Sequence, residues 1–82
     1  MTDQILMYTT SWCPDCTRVK RLFERSGIAF EEIDVDRIDG AEDLMKKANG
    51  GSRKVPTVLI GSEVLVEPSN GEVLRALQAL SV

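Results

Sequence analysis

Two cysteines, Cys13 and Cys16, stand three positions apart near the start of the chain, separated by Pro14 and Asp15. They are the only cysteines among the 82 residues. An apolar run at residues 5–8 precedes them and predicts a short buried strand. Proline fits the first turn of a helix, because its missing N–H would have no intrahelical partner there. The sequence therefore predicts a strand, a short loop and then a helix that begins with the cysteine pair.

Hydrophobic periodicity along the chain predicts the order strand, helix, strand, helix, strand, strand, helix. This order is typical of an α/β fold with a mixed sheet, begun by a right-handed β–α–β unit and completed by an antiparallel hairpin. With 43% hydrophobic and 28% charged residues, residues 1–82 are expected to form one domain. The predicted strands cover residues 5–8, 30–35, 57–60 and 63–66.

The second predicted helix starts at Asp39 as its N-cap, with Glu42 in the capping-box position. A pair of glycines directly after the helix is expected to stop it. Its apolar stripe, which we expect to be buried, contains Leu44, Met45 and Ala48.

The last predicted helix starts at Ser69, where Glu72 completes a capping box. Free N–H groups at a helix N-terminus also form a site for polar ligands. Ser69 and Asn70 are therefore candidates for substrate contact, although capping alone would explain Ser69. The apolar stripe expected to be buried in this helix contains Val73, Leu74, Leu77 and Leu80.

The spacing of the cysteines suits thiol–disulfide exchange. This chemistry needs one thiol that ionises readily, a second thiol close enough to form a ring with it, and access for a substrate disulfide. At a helix N-terminus, unpaired N–H groups and the helix dipole favour a thiolate. We therefore expect Cys13 to attack from the exposed end of the helix and Cys16, one turn further in, to resolve the product. Pro14 and Asp15 lie between them and are candidates for substrate contact.

Two other interpretations of the cysteine pair stay open. A structural zinc site needs about four ligands, and the chain has no histidine and no third cysteine. A zinc site made of cysteines alone would thus need two chains. A purely structural disulfide would close a very short loop and constrain the unfolded chain little.

Residues outside the cysteine pair are also candidates for the site. Pro56 precedes a predicted strand, where a residue that cannot donate a ladder hydrogen bond belongs, and Val55 would present backbone groups to an extended substrate. Trp12 adjoins Cys13 and is either a flat docking surface or a packing residue. Arg53 and Lys54 are candidates for contact with an anionic co-substrate or with the thiolate.

Charge and hydropathy exclude several classes of protein. The net charge of −3 argues against general nucleic-acid binding, which needs a basic face. The longest apolar run is about four residues, far below the roughly 20 that span a bilayer. Residues 1–4 lack the pattern of a secretory signal. We expect a cytoplasmic monomer without nucleic-acid or membrane partners.

Several motifs resemble the glutaredoxins. They are the sequence Tyr-Thr-Thr-Ser-Trp-Cys-Pro-Asp-Cys at residues 8–16, Val-Pro-Thr at residues 55–57 and the hairpin at Gly61. The stretch Asn-Gly-Gly-Ser-Arg at residues 49–53 and Pro68-Ser69 are most similar to the mycoredoxins, the bacterial members that use thiols other than glutathione.

The resemblance implies a thioredoxin-like sheet of four strands flanked by three helices, with cis Pro56. It implies that Cys13 is the nucleophile and Cys16 the resolving thiol. It also implies that Trp12, Val55 and the turn at residues 69–70 border the groove for the co-substrate.

The chain departs from the glutaredoxin pattern at two places. Residues 67–70 read Glu-Pro-Ser-Asn, where glutaredoxins have two glycines and then an acidic residue that holds the glutathione amino group. Asp15 stands where an aromatic residue is common. The co-substrate is therefore left open among mycothiol, bacillithiol and glutathione.

The expected partners are S-thiolated or disulfide-containing proteins, a small thiol, and a thiol or thioredoxin reductase system. No bound cofactor is expected, because no Gly-x-Gly-x-x-Gly motif follows a strand. A hydrogen donor for ribonucleotide reductase is an alternative, although the Ser-Gly-Phe-Arg-Pro signature of such redoxins is absent. A second alternative is a carrier in which two chains bridge an iron–sulfur cluster through Cys13.

Overall fold

The computed structural model describes residues 5–80, and its order of elements confirms the predicted one. Element boundaries lie within one or two residues of the predicted ones. Within residues 5–80, no helix has the length and apolarity needed to cross a membrane. The elements are β1 (Ile5–Thr9), α1 (Pro14–Arg25), β2 (Glu31–Asp34), α2 (Ala41–Asn49), β3 (Thr57–Ile60), β4 (Glu63–Val66) and α3 (Asn70–Leu80).

The four strands form one mixed sheet in the order β2-β1-β3-β4. β1 is parallel to β2 and antiparallel to β3, while β4 adds an antiparallel edge. Near the end of β1, Tyr8 is paired with Ile33 on one side and with Thr57 on the other. Three loops therefore meet at the same end of the sheet: those that follow β1 and β2, and the one that precedes β3.

Two apolar clusters cover the two faces of the sheet. Because neighbouring residues of a strand point to opposite faces, Met7 packs in the cluster with α1 and α3, whereas Tyr8 packs in the cluster with α2. Phe23 of α1 and Met45 of α2 are both fully buried in their respective clusters. Both faces of the central strand are thus covered, which fixes the end of β1 and the loop that follows it.

The N-cap of α2 differs from the predicted one. Gly40, with φ of +81°, takes the cap position, and no side chain caps the helix. The Asp39–Glu42 capping box is therefore wrong. The main-chain N–H of Ala41 instead donates to the carbonyl oxygen of Ile38 at 3.1 Å, and this tight turn places a left-handed residue directly before the helix, a conformation that glycine adopts without strain.

The predicted apolar stripes were too wide. In α2, Leu44 is 56% exposed, because Ala41 and Met45, four residues apart, fill the face that meets the sheet. In α3, Leu74 is 42% exposed and Val73 is fully buried. One neighbour of each buried residue therefore faces solvent, as expected where a helix packs on a small sheet through a narrow stripe.

Candidate active site

Cys13 is the N-cap residue of α1. Its backbone is extended, with φ of −94° and ψ of 110°, and Pro14 opens the helix. Its Sγ atom accepts a hydrogen bond from the main-chain N–H of Cys16 at 3.0 Å. This arrangement confirms that the cysteine pair lies at a helix N-terminus. A thiolate at this position would be stabilised by the same N–H and by the helix dipole.

Cys13 is more covered than expected. The residue is only 7% exposed, so the prediction of an exposed thiol is wrong as it stands. The neighbouring Val55 contributes to this cover, since the Cys13 thiol donates toward its carbonyl oxygen at 3.9 Å. Cys13 nevertheless lines a surface cleft of about 400 Å³.

Cys16 occupies a different environment from Cys13, although both are free thiols. It is 1% exposed, at the base of the first turn of α1. Burial is the largest cause that raises its pKa, to about 12, and a hydrogen bond with Cys13 acts in the same direction. A backbone hydrogen bond from Thr10 opposes the shift. Cys16 is therefore a neutral thiol at neutral pH, which agrees with its predicted role as the resolving thiol.

The peptide bond between Val55 and Pro56 is cis, as the family resemblance implied. Pro56 is buried, while Val55 is half-buried and lines the cleft. The carbonyl oxygen of Pro56 accepts a hydrogen bond from the N–H of Glu67 at 2.8 Å. Glu67 has φ of +50° and also lines the cleft, so the segment before α3 is tied to the proline loop.

Asn49, the last residue of α2, fixes the loop that leads to the proline. Its Nδ2 donates to the carbonyl oxygen of Ser52 at 2.8 Å and to Oγ1 of Thr57 at 3.1 Å. Its Oδ1 accepts from the N–H of Ser52 at 2.9 Å. The Thr57 hydroxyl in turn donates to the carbonyl oxygen of Lys54 at 2.7 Å. These bonds join α2 to β3 and hold the cleft-lining loop between them.

The two cations of this loop have different surroundings. Arg53 contacts Asp36 at 3.3 Å and Glu42 at 3.0 Å, so its charge is balanced within the fold. The pKa of the half-buried Glu42 carboxyl is lowered by its hydrogen bonds, first with Lys46 and then with Arg53. In the part of the chain that the structure describes, Lys54 has no ion-pair partner. Lys54 is thus the cation that the cleft offers to a ligand.

Trp12 is a surface residue rather than a packing residue. It is 64% exposed and lines the cleft, directly before Cys13 in the chain. Its Nε1–H donates to Oδ2 of Asp36 at 3.2 Å. Of its two predicted roles, the structure favours a flat surface beside Cys13.

The turn at Ser69 and Asn70 does not line the cleft, although the resemblance placed it at the co-substrate groove. The Ser69–Glu72 capping box is confirmed: the N–H of Glu72 donates to Ser69 Oγ at 3.2 Å, and the N–H of Ser69 donates to Glu72 Oε1 at 2.8 Å. The pKa of the exposed Glu72 carboxyl is lowered by its hydrogen bonds with the main-chain N–H of Ser69 and with the Ser69 side chain. The Asn70 side chain is held by Arg18 at 2.6 Å. The side chains of Ser69, Asn70 and Glu72 at the start of α3 therefore all have partners within the fold.

Seven of the predicted site residues line the cleft together, and Cys16 and Pro56 lie directly behind them. The sequence predictions missed Val35, Met45 and Glu67, which also line it, and Asp36, which holds Trp12. Val35 and Asp36 follow the carboxyl end of β2, next to the end of β1, where ligands collect in sheets with parallel strands. That position was the available signal. The full lining is Trp12, Cys13, Pro14, Asp15, Val35, Met45, Arg53, Lys54, Val55 and Glu67.

A pair of free thiols at a helix N-terminus, facing a cis-proline loop across a cleft, defines a thiol–disulfide oxidoreductase on a thioredoxin-like fold. Between Ile5 and Leu80, no group of three or more His, Cys, Asp or Glu residues is arranged to hold a metal ion.

Comparisons with known proteins identify the family. The glutaredoxin family model matches residues 5–65. Rv3198A of Mycobacterium tuberculosis, which carries a glutaredoxin name, is 38% identical over 78 residues, or 94% of this chain and 93% of that protein. Mycoredoxin 1 of Corynebacterium glutamicum is 32% identical over 80 residues, or 96% and 99% of the two chains. The chain belongs to the glutaredoxin family.

A solved structure agrees with this assignment. The glutaredoxin of Archaeoglobus fulgidus matches with a TM-score of 0.83 at 26% identity, over 93% of this chain and 87% of that chain. The predicted thioredoxin-like fold, with four strands in a mixed sheet and three helices, is therefore confirmed.

Proposed function

We propose that the protein reduces mixed disulfides between proteins and a low-molecular-weight thiol, or disulfides within proteins, and so maintains redox homeostasis in the cytoplasm. The observation that carries the proposal is the 3.0 Å hydrogen bond from the Cys16 N–H to Cys13 Sγ, made at the floor of an open cleft. A main-chain donor aimed at one of two thiols distinguishes the attacking sulfur from the resolving one.

The reaction begins at Cys13. Its thiolate attacks one sulfur of the substrate disulfide, a new S–S bond forms to Cys13, and the substrate bond breaks. The departing thiolate takes a proton from water. When the sulfur attacked belongs to the small thiol, the protein substrate leaves reduced and the small thiol stays on Cys13.

Release follows by one of two routes. In the first route, a second small thiol attacks the sulfur of the bound small thiol; the two leave as a disulfide, and the bond to Cys13 breaks to free its thiolate. In the second route, Cys16 loses its proton and attacks Cys13, which forms the internal disulfide and frees the small thiol. The internal disulfide then needs two electrons and two protons, which a thiol or thioredoxin reductase system would supply. Because burial raises the pKa of Cys16, the second route has a smaller thiolate fraction at neutral pH, and its rate continues to rise with pH after the rate of the first route has levelled off.

The co-substrate is proposed to be mycothiol, bacillithiol or glutathione. The protein is proposed to act as a monomer and without a bound cofactor. The side chains at the start of α3 are bonded within the fold, which supports a thiol whose binding does not depend on those side chains. Lys54 and the Trp12 ring are the features of the cleft that remain for contact with it. S-thiolated proteins are the proposed protein substrates.

The test uses one reporter peptide, S-thiolated separately with each of the three small thiols. The wild-type protein should reduce at least one adduct with turnover, in the presence of the matching free thiol and its reductase. Cys13→Ser should show none above the rate without protein, while Cys16→Ser should keep turnover by the external route. Turnover by Cys13→Ser equal to wild type would overturn the proposal.

A further inference from the structure

The loop after β1 and the loop after β2 are joined by one hydrogen bond. Trp12 Nε1–H donates to Oδ2 of Asp36 at 3.2 Å, although the two residues are 24 positions apart. The Trp12 side chain is largely exposed, so packing restrains it little. An exposed ring with few packing contacts would exchange among rotamers, and the bond to Asp36 selects one of them.

Asp36 is itself held from two further directions. Its N–H donates to Oδ1 of Asp34 at 2.9 Å, and its Oδ1 accepts from Arg53 Nη2 at 3.3 Å. Arg53 Nε also contacts Oε1 of Glu42 on α2 at 3.0 Å. A chain of polar contacts therefore runs from the indole through Asp36 and Arg53 to α2.

The strength of these contacts decides what they can do. Arg53 and Asp36 are about half exposed, and exposed ion pairs contribute at most about 1 kcal/mol each to stability. Such a chain hardly stabilises the fold. It is sufficient, however, to bias the orientation of one exposed side chain, which needs only a preference of a few-fold.

We propose that Asp36 is a positioning residue that holds the Trp12 ring as a wall of the Cys13 cleft, and that Arg53 keeps Asp36 in place instead of binding the co-substrate. The kinetic part of this inference rests on the proposed function. With the ring fixed, the cleft presents a flat apolar face to the disulfide beside the nucleophile. Without Asp36, the substrate binds more weakly, while Cys13 still attacks the disulfide that is bound.

Tryptophan fluorescence tests the positioning directly, because Trp12 is the only tryptophan in the chain. Asp36→Ala should lower the fluorescence anisotropy of Trp12 and increase its quenching by acrylamide. Asp39→Ala removes an exposed carboxylate from the same loop and should leave both unchanged. Arg53→Gln should lower the anisotropy less than Asp36→Ala does. Combined with Asp36→Ala, it should lower the anisotropy no further. An unchanged anisotropy in Asp36→Ala, at an unchanged far-UV circular dichroism spectrum, overturns the positioning role.

Kinetics test the role of the wall. Asp36→Ala should raise KM for the preferred mixed disulfide about two- to tenfold, as expected for one lost hydrogen bond, with kcat nearly unchanged. In Trp12→Phe, which lacks the indole N–H, the further change to Asp36→Ala should have no effect on KM. Lowered anisotropy in Asp36→Ala at an unchanged KM would overturn the role of the Trp12 ring in substrate binding. The fluorescence result does not depend on the proposed function and stands even if no small-thiol adduct is turned over.

Discussion

Arg18 of α1 contacts Asn70 of α3, with Nη1 donating to Oδ1 at 2.6 Å. A second hydrogen bond from Nη2 to the carbonyl oxygen of Pro68, at 2.9 Å, makes the guanidinium a clamp between the two helices. Asp15 lies 3.7 Å from Nε of the same side chain. Through these contacts Arg18 joins α1 to the start of α3.

Arg18→Ala removes both hydrogen bonds and leaves the Pro68 carbonyl without this partner. The half-buried position of the side chain predicts a loss of about 1–2 kcal/mol in the free energy of unfolding, measured by urea denaturation. Arg21→Ala is the matched control, because this exposed arginine of the same helix has no ion pair within residues 5–80, and it should change stability by less than about 0.5 kcal/mol. Equal losses in the two variants would contradict the clamp.

Cys16→Ser should accumulate a covalent adduct on Cys13. With the resolving thiol removed and no free small thiol present, the mixed disulfide formed by the attack has no internal route of release. Intact mass spectrometry after mixing with a thiolated peptide should show protein plus one substrate fragment. The reverse variant, Cys13→Ser, should show unmodified protein, since Cys16 is buried and neutral. An adduct of equal yield in both would reverse the assignment of the two sulfurs.

Stability should fall with rising pH because of Cys16. Its pKa is raised from 9.0 to about 12 by burial, so between these values the unfolded chain releases a proton that the folded chain keeps. The contribution is fully present below pH 9.0 and is lost as the pH approaches about 12, with a slope of at most about 1.4 kcal/mol per pH unit. Urea denaturation under reducing conditions should give a steeper fall for wild type than for Cys16→Ser. Tyr8, whose pKa is also raised by burial, contributes to both proteins and cancels in the comparison.

Asn49→Ala should loosen the cleft-lining loop. The variant loses three hydrogen bonds that join the end of α2 to Ser52 and Thr57, and a loss of about 1–3 kcal/mol is expected, since some partners remain buried. The same loop carries Lys54 and Val55, so KM for the disulfide substrate should rise as well. Lys47→Ala, an exposed position on the same helix, should leave both quantities unchanged, and a similar effect there would argue against a role specific to Asn49.

Neighbouring apolar residues of α2 should behave very differently on truncation. Met45 is fully buried, and Met45→Ala should cost about 2–5 kcal/mol. Leu44 is 56% exposed, and Leu44→Ala should change stability by less than about 0.5 kcal/mol. Thermal and urea unfolding of the two single variants measure the difference, and comparable losses would show that Leu44 is buried in solution.

The order of elements, the mixed sheet and the cysteine pair at a helix N-terminus were all predictable, because each depends on short-range patterns. Proline at the first helical position and the Ser69–Glu72 box are local signals. The prediction of Asp39 as the N-cap was wrong because α2 starts from a turn that main-chain hydrogen bonds stabilise, without a side-chain cap. The predicted burial of Leu44 was wrong because periodicity shows which residues share a helix face, but not how wide a stripe the sheet can cover.

The partners of charged side chains could not be predicted. Arg53, a candidate for contact with a co-substrate or with the thiolate, lines the cleft and also forms ion pairs with Asp36 and Glu42. Arg18 reaches Asn70 from another helix. Such contacts depend on how elements distant in sequence pack together. Asp36 shows where a stronger prediction was possible, because it follows a strand parallel to the one that leads to Cys13.

The cap of α1 is made by the sulfur that the proposed function assigns as the nucleophile. A side-chain cap contributes about 0.5–2 kcal/mol to its helix, and that contribution should weaken once Cys13 Sγ is bonded to another sulfur, because a disulfide sulfur accepts a hydrogen bond less strongly than a thiolate. Formation of the proposed adduct should therefore loosen the first turn of α1, which contains Cys16. Capture of the substrate and easier access to the second thiol would then both follow from a single change at one sulfur.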